Sequence, residues 1–79
     1  MYDYQFPQIA DKPKRISGQI LKVLEESDEI RKAATKQHIL EETLDTIQAC
    51  ETLLSYYPKW EVDEMHDLVV EKNAKRGYY

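Results

Sequence analysis

The sequence predicts an all-α protein. Only two glycines and three prolines interrupt its 79 residues, while 33% of the residues are charged. This composition suits helices with solvated faces better than a sheet with frequent turns. Apolar residues also recur at helical spacing through most of the chain. We therefore expect an antiparallel helical hairpin followed by a third short helix, assembling into a multi-helix bundle by oligomerisation.

Two regions are distinguished by their composition. Residues 1–15 predict an irregular N-terminal arm, because Pro7 and Pro13 restrict the backbone and the charged and aromatic residues follow no period. Residues 16–79 predict a single helical domain. A chain of this length buries a smaller fraction of its surface than a larger domain does, so we expect it to share its core with another copy.

The first predicted helix runs from Ile16 to about Lys36. Ser17 is a candidate cap for its start, and Gly18 costs about 1 kcal/mol relative to alanine if it lies inside the helix. The residues expected on the core face share helical spacing. They are Ile16, Ile20, Val23, Leu24, Ile30 and Ala34.

The second predicted helix runs from about Gln37 to Tyr57, and Pro58 ends it. Its expected core face contains Ile39, Leu40, Ile47, Cys50, Leu54 and Tyr57. A third helix is expected to begin near Asp63 as its N-cap and to stop at Gly77. The absence of a long loop between the first two helices favours their antiparallel packing.

Charge and hydropathy exclude several functions. The net charge of −4 disfavours duplex nucleic acid as the main partner, because lysine and arginine provide most of the non-specific affinity for phosphates. No apolar run approaches the roughly 20 residues that cross a membrane, and the N-terminus lacks the apolar stretch of a signal peptide. We therefore expect a cytoplasmic protein without a membrane partner. Cys50, the single cysteine, is expected to pack in the core.

Pairs of acidic residues on the first two helices are the most informative feature. Glu26 and Glu29 are three residues apart, as are Glu42 and Asp45, so each pair projects from one side of its helix. The first pair shares its stripe with Lys22 and Ala33. The second shares its stripe with Ala49, Leu53 and Tyr56. Small and apolar residues beside acids are typical of helices that enclose a site.

In an antiparallel hairpin, four carboxylates can converge between the helices and provide the hard oxygen ligands that Mg²⁺ prefers. Mg²⁺ commonly binds substrate phosphates as well, which favours nucleotide chemistry. The alternative is that these acids are ordinary solvated charges, since a charge-rich helix often produces such spacing. His38 and His66 lack a close companion for a zinc site, and no nucleophile motif is present.

The segments LEESDEI and HILEETLDTIQA carry the pattern Glu26-x-x-Glu29, twelve intervening residues, and Glu42-x-x-Asp45. This pattern resembles the MazG-like, all-α nucleoside triphosphate pyrophosphohydrolases, and with the closing KNAKRG the resemblance spans residues 16–77. Thr43-Leu44 departs from the leucine-glycine that the family often has between its second pair of acids.

The resemblance implies that Glu26, Glu29, Glu42 and Asp45 are catalytic residues that bind Mg²⁺, for which Mn²⁺ can substitute. It implies hydrolysis of a nucleoside triphosphate to monophosphate and pyrophosphate by a homo-oligomer, dimer or tetramer. The resemblance also implies that one of the four acids, or neighbouring Glu25 or Glu41, orients the attacking water. Other residues near the C-terminus match substrate-binding positions of the family, and these are Lys72, Asn73 and Arg76. The alternative is that the cations in this last helical turn complement the helix dipole.

Two functions therefore remain open at the level of sequence. The first is a metal-dependent pyrophosphohydrolase, and the second is a non-catalytic helical oligomerisation or regulatory module derived from the same fold. The set of four acids favours the enzyme, because a module without metal chemistry has no need of them. Neither the base nor the sugar of the nucleotide follows from the sequence.

Overall fold

The computed structural model describes residues 5–79, and over that range it contains three α-helices and no strand. Helix α1 spans Ile16–Lys32, α2 spans Lys36–Leu54 and α3 spans Lys59–Lys75. The predicted all-α class is confirmed for the described residues. None of the three helices combines the length and the apolar character needed to span a membrane.

Helices α1 and α2 form an antiparallel hairpin. Only residues 33–35 connect them, and Thr35 caps α2 by accepting a hydrogen bond of 3.1 Å from the backbone of His38. Gln19, near the start of α1, bonds to Ala49, near the end of α2. Glu26, farther along α1, lies close to Asp45, earlier in α2. This opposite order of contacts establishes the antiparallel register.

The boundaries of α1 differ from the prediction at both ends. The helix ends at Lys32 instead of Lys36, because Ala33 adopts an extended conformation and leads into the cap of α2. Ser17 does not cap the start, since Arg15 occupies the N-cap without a side-chain hydrogen bond. Gly18 lies inside the helix, where an added Cβ would stand 3.1 Å from the Cβ of Pro13. Its lack of a side chain therefore permits close approach of the arm.

Helix α3 begins five residues earlier than predicted. Pro58 is its N-cap, and the φ of −64° that the proline ring favours leads directly into the first turn at Lys59, so Asp63 is internal. The predicted stop at Gly77 is confirmed. Gly77 has a φ of +79°, its N–H bonds to the carbonyl of Ala74, and the N–H of Tyr78 bonds to the carbonyl of Asn73. Both bonds satisfy carbonyls at the helix end.

The predicted core faces of α1 and α2 are wrong for the isolated chain. The buried residues among those described are small or polar, namely Gln19, Ala49 and Thr52. The apolar residues expected inside are half-buried or exposed; the exposed ones include Ile20, Leu24, Ile39, Leu40, Leu54 and Tyr57. Cys50 is also exposed, although partial burial raises the pKa of its thiol. The hairpin thus packs its polar stripes together and presents its apolar faces outward.

The described part of the N-terminal arm, residues 5–15, has no helix or strand and lies against the end of α2. The backbone N–H of Phe6 donates to Glu51, and the hydroxyl of Tyr56 donates to the carbonyl of Pro13. The Lys12 ammonium donates to the Ser55 hydroxyl at 2.9 Å and lies 4.2 Å from the centroid of the Tyr56 ring. Residues 1–4 of the predicted arm lie outside the described residues.

Candidate metal centre

Three carboxylates meet between α1 and α2. They belong to Glu26 of α1 and to Glu42 and Asp45 of α2, and one oxygen from each lies within 4.8 Å of the other two. Glu42 and Asp45 are three residues apart, so they project from the same side of α2 toward Glu26. We call these three residues the carboxylate cluster. The predicted convergence of acids from both helices is present in this arrangement.

The pKa of Glu26 is raised above its ordinary value. Burial of this carboxyl makes the largest contribution, followed by the negative charges of Asp45 and Glu42, and then by those of Glu29 and Glu25. Both effects disfavour the ionised carboxylate, because it is less solvated and is repelled by its neighbours. A cation between the carboxylates would replace the repulsion from neighbouring negative charges with an attraction.

Only 12% of the Glu42 side chain is accessible to solvent. The Nε2 atom of His38, one turn earlier on α2, lies 3.5 Å from a carboxylate oxygen of Glu42. The backbone of Glu42 is also engaged, because its carbonyl accepts a bond of 2.8 Å from the Thr46 hydroxyl. A carboxylate with limited solvent access gains more from a cation than a fully solvated one.

Glu29 is not a member of the cluster, although its charge contributes to the raised pKa of Glu26. In the antiparallel register Glu29 lies one turn nearer the loop, level with the first turns of α2, and its side chain is exposed. The structure of the single chain therefore brings together three of the four acids that the sequence singled out.

A groove of about 330 Å³ opens beside the cluster. Glu26 and Asp45 line it together with Glu25 from α1, and Gln19, Ala49 and Thr52 form its inner part. Two cations, Lys12 of the arm and Lys22 of α1, also line the groove. A ligand in this groove would thus meet carboxylates and ammonium groups together. The combination suits a phosphate that binds through a cation at one end and through a lysine at the other.

The donor set fits a hard divalent cation. All three groups offer carboxylate oxygens, which Mg²⁺, Mn²⁺ and Ca²⁺ prefer over softer ligands. The three oxygens lie within 4.8 Å of one another and would have to move closer together to bind one Mg²⁺ ion. Three protein ligands leave positions for water and for substrate oxygens.

Lys72, Asn73 and Arg76 lie at the end of α3, apart from the groove beside the cluster. Lys72 and Arg76 line a different groove of about 430 Å³ with Leu68, Glu71 and Lys75. Asn73 is half-buried, and its carbonyl takes part in the end of the helix. Their contact with substrate stays a prediction.

The sequence did not single out three residues that lie at the cluster or line the groove beside it. His38 could have been found, because its spacing from Glu42 places both on one side of α2. Lys22 was noted on the acidic stripe, yet it was not assigned a role. Lys12 gave no signal, since nothing in the arm's sequence indicates that it folds back onto the end of α2.

The chain was also compared with protein-family models, with curated proteins and with solved structures, and none of these comparisons gave a match. The resemblance to MazG-like enzymes therefore depends on the two acidic motifs, their spacing and the closing KNAKRG.

Proposed function

We propose that the protein is a MazG-like, Mg²⁺-dependent pyrophosphohydrolase that converts a nucleoside triphosphate, with ribose or deoxyribose, to its monophosphate and pyrophosphate. The observation that carries this proposal is the convergence of Glu26, Glu42 and Asp45 beside a groove that Lys12 and Lys22 also line. Mn²⁺ is expected to substitute for Mg²⁺, because both ions accept carboxylate and water ligands.

The carboxylate cluster would hold the cation. When bound, a divalent cation neutralises phosphate charge and lowers the pKa of a water molecule. Glu29 joins the ligands in this proposal if its flexible, exposed side chain turns toward the groove. Glu25 lines the groove and Glu41 does not, so Glu25 is better placed to accept a proton from the attacking water.

Lys22 would contact the phosphates. It precedes Glu26 by one turn of α1 and lines the same groove. Lys12 is held by Ser55 and Tyr56, so its ammonium is positioned at the other side of the groove before substrate arrives. Such positioning lowers the entropic cost of binding a flexible triphosphate.

Self-association is part of the proposal. The accessible surface is 6811 Å², whereas a compact monomer of this mass exposes about 5,000 Å². The excess exceeds the roughly 800 Å² that each partner buries in a standard interface. Exposed apolar residues on α1 and α2, including Ile20, Leu24 and Leu40, would be covered in a bundle with another hairpin, giving a dimer or tetramer.

The same exposed faces favour the alternative function, a helical oligomerisation or regulatory module without catalysis. A phosphate assay separates the two functions. Protein, Mg²⁺ and a panel of nucleoside and deoxynucleoside triphosphates are incubated with and without inorganic pyrophosphatase, and orthophosphate is then measured. The enzyme produces orthophosphate only when pyrophosphatase is present. Orthophosphate without pyrophosphatase would indicate cleavage of the terminal phosphate, and no orthophosphate in either arm would favour the module.

A further inference from the structure

Helix α3 has an apolar side that the rest of the chain does not cover. Among residues 5–79 the main contact between helices is that of α1 with α2, whereas α3 makes little contact with either. Val62, Met65 and Val69 recur at helical spacing on α3, and together with Leu54 and Tyr57 from the end of α2 they line an apolar groove of about 500 Å³. A groove of this volume and composition suits an apolar helix.

The charges of α3 are divided between its two halves. Residues 59–67 contain four acids and one lysine, whereas residues 71–76 contain three cations and one acid. Lys59 pairs with Asp63 at 2.6 Å and Lys75 pairs with Glu71 at 3.4 Å. Among the described residues, Glu61 in the acidic half and Lys72 in the basic half form no ion pair.

Glu61 and Lys72 are placed for pairing between two copies. They are separated by three helical turns and therefore lie on one side of α3, beside the apolar stripe of Val62, Met65 and Val69. Charges that flank an apolar stripe select the orientation of a partner helix. When two such helices pack antiparallel about a twofold axis, Glu61 of each copy faces Lys72 of the other, and the acidic half of each faces the basic half of the other.

We propose that α3 is a self-association surface, on which the α3 helices of two copies pack antiparallel along the groove lined by Val62, Met65 and Val69. A parallel arrangement would place Glu61 against Glu61 and Lys72 against Lys72, which is repulsive. This interface is distinct from the outer faces of α1 and α2. Where both interfaces form, they build a tetramer from two dimers. The inference draws on the proposed self-association but not on the proposed catalysis.

The divided charges also complement the dipole of α3 itself. That effect stabilises the helix within one chain and does not depend on a second copy. A charge-swap experiment separates the two effects, because an interface responds to which residues face each other, whereas a dipole responds to the charge at each end of the helix.

The experiment compares Lys72→Glu, Glu61→Lys and the double variant Glu61→Lys/Lys72→Glu by light scattering and sedimentation at micromolar concentration. Each single variant should halve the mass of the assembly and raise its dissociation constant by about tenfold or more, because like charges then face each other at both ends of the pair. The double variant should regain the mass of the unaltered protein, because opposite charges again face each other. Circular dichroism checks that each variant keeps its helices.

Asp67→Lys is the matched control. Asp67 is also an exposed acid of α3, but it lies on the side opposite the apolar stripe, so this variant should keep the full mass. The proposal is overturned if a single variant keeps the full mass, if the double variant stays at the reduced mass, or if Asp67→Lys dissociates equally. A monomeric unaltered protein would overturn both this interface and the proposed self-association. Retained nucleotide hydrolysis would in each case leave the proposed catalysis standing.

Discussion

The side-chain amide of Gln19 donates a hydrogen bond of 3.0 Å to the carbonyl oxygen of Ala49. Gln19 is only 2% exposed, and the bond joins the first turn of α1 to the last turns of α2. Two turns farther along α1, the same antiparallel register places Glu26 beside Glu42 and Asp45. The buried amide therefore helps to fix the alignment on which the carboxylate cluster depends.

Gln19→Met should destabilise the protein by about 0.5 to 1.5 kcal/mol, because methionine has a similar length but cannot donate the hydrogen bond. Urea unfolding at one protein concentration measures the change. Gln37→Met, at an exposed position in the first turn of α2, is the matched control and should have little effect. Equal stability of the two variants would show that the Gln19 bond does not help to hold the hairpin together.

The metal-free protein should become more stable as the pH falls from 7 toward the ordinary glutamate pKa of 4.5. The folded-state pKa of Glu26 is raised, so the folded protein takes up a proton in this range before the unfolded chain does, and the cost of an ionised Glu26 is relieved. The pKa of Asp28 is lowered from its ordinary value of 3.8. Protonation of Asp28 therefore destabilises the folded protein, but only at pH values below about 3.8. Thermal melting between pH 7 and 5 therefore measures the effect of Glu26 without that of Asp28.

Glu26→Gln should flatten this pH dependence, because glutamine cannot titrate. The control is Glu29→Gln, whose charge contributes less to the raised pKa than burial and the two other members of the cluster do. A dependence that is unchanged in Glu26→Gln would show that another group takes up the proton.

Glu42→Gln should lower turnover by about a hundredfold or more and weaken Mg²⁺ binding, because even residues that only orient a metal ligand are typically worth 10- to 100-fold. The metal-free fold should remain intact or gain roughly 0.2 to 0.5 kcal/mol from reduced repulsion. Calorimetry, melting and turnover are measured on the same preparation. Glu41→Gln, an exposed neighbour, is the control for metal binding. Unchanged Mg²⁺ affinity in Glu42→Gln would place Glu42 on an ordinary solvated surface, and a large loss of metal-free stability would make it a structural hydrogen-bond acceptor.

Lys22→Gln should raise KM by about tenfold while changing kcat less, because the lysine is proposed to bind the triphosphate in the ground state as well as in the transition state. Lys36→Gln, at an exposed position at the start of α2, is the control for the change in net charge. An equal rise in KM in both variants would point to long-range attraction of the substrate in place of a contact in the groove.

The helices could be predicted from the sequence because apolar spacing, Pro58 and Gly77 are local signals. The start of α3 was missed, since the prediction relied on Asp63 as a cap and gave no weight to Pro58 as the N-cap residue. The inward face was missed for another reason. Periodicity identifies an apolar face but does not say what covers it, and in this chain Gln19, Ala49 and Thr52 lie inside the hairpin while Leu24 and Leu40 lie outside.

The convergence of Glu26, Glu42 and Asp45 could be predicted because the short loop makes α1 and α2 pack antiparallel. Acidic residues at similar distances from the loop then lie opposite each other. Glu29 shows the limit of that argument. Spacing shows that Glu29 and Glu26 lie on one side of α1, but it does not show which residues of α2 lie opposite each of them. The contribution of Lys12 to the groove depends on contacts between residues 43 positions apart, and no local pattern encodes such contacts.

Chromatography of the products tests the central claim most directly. A nucleoside triphosphate is incubated with the protein and Mg²⁺, and the nucleotides and phosphates are separated over a time course. The proposed metal centre predicts monophosphate and pyrophosphate in equal amounts, with no diphosphate at any time and with loss of both products in Glu42→Gln. Formation of diphosphate and orthophosphate, or equal turnover by Glu42→Gln and the unaltered protein, would contradict it.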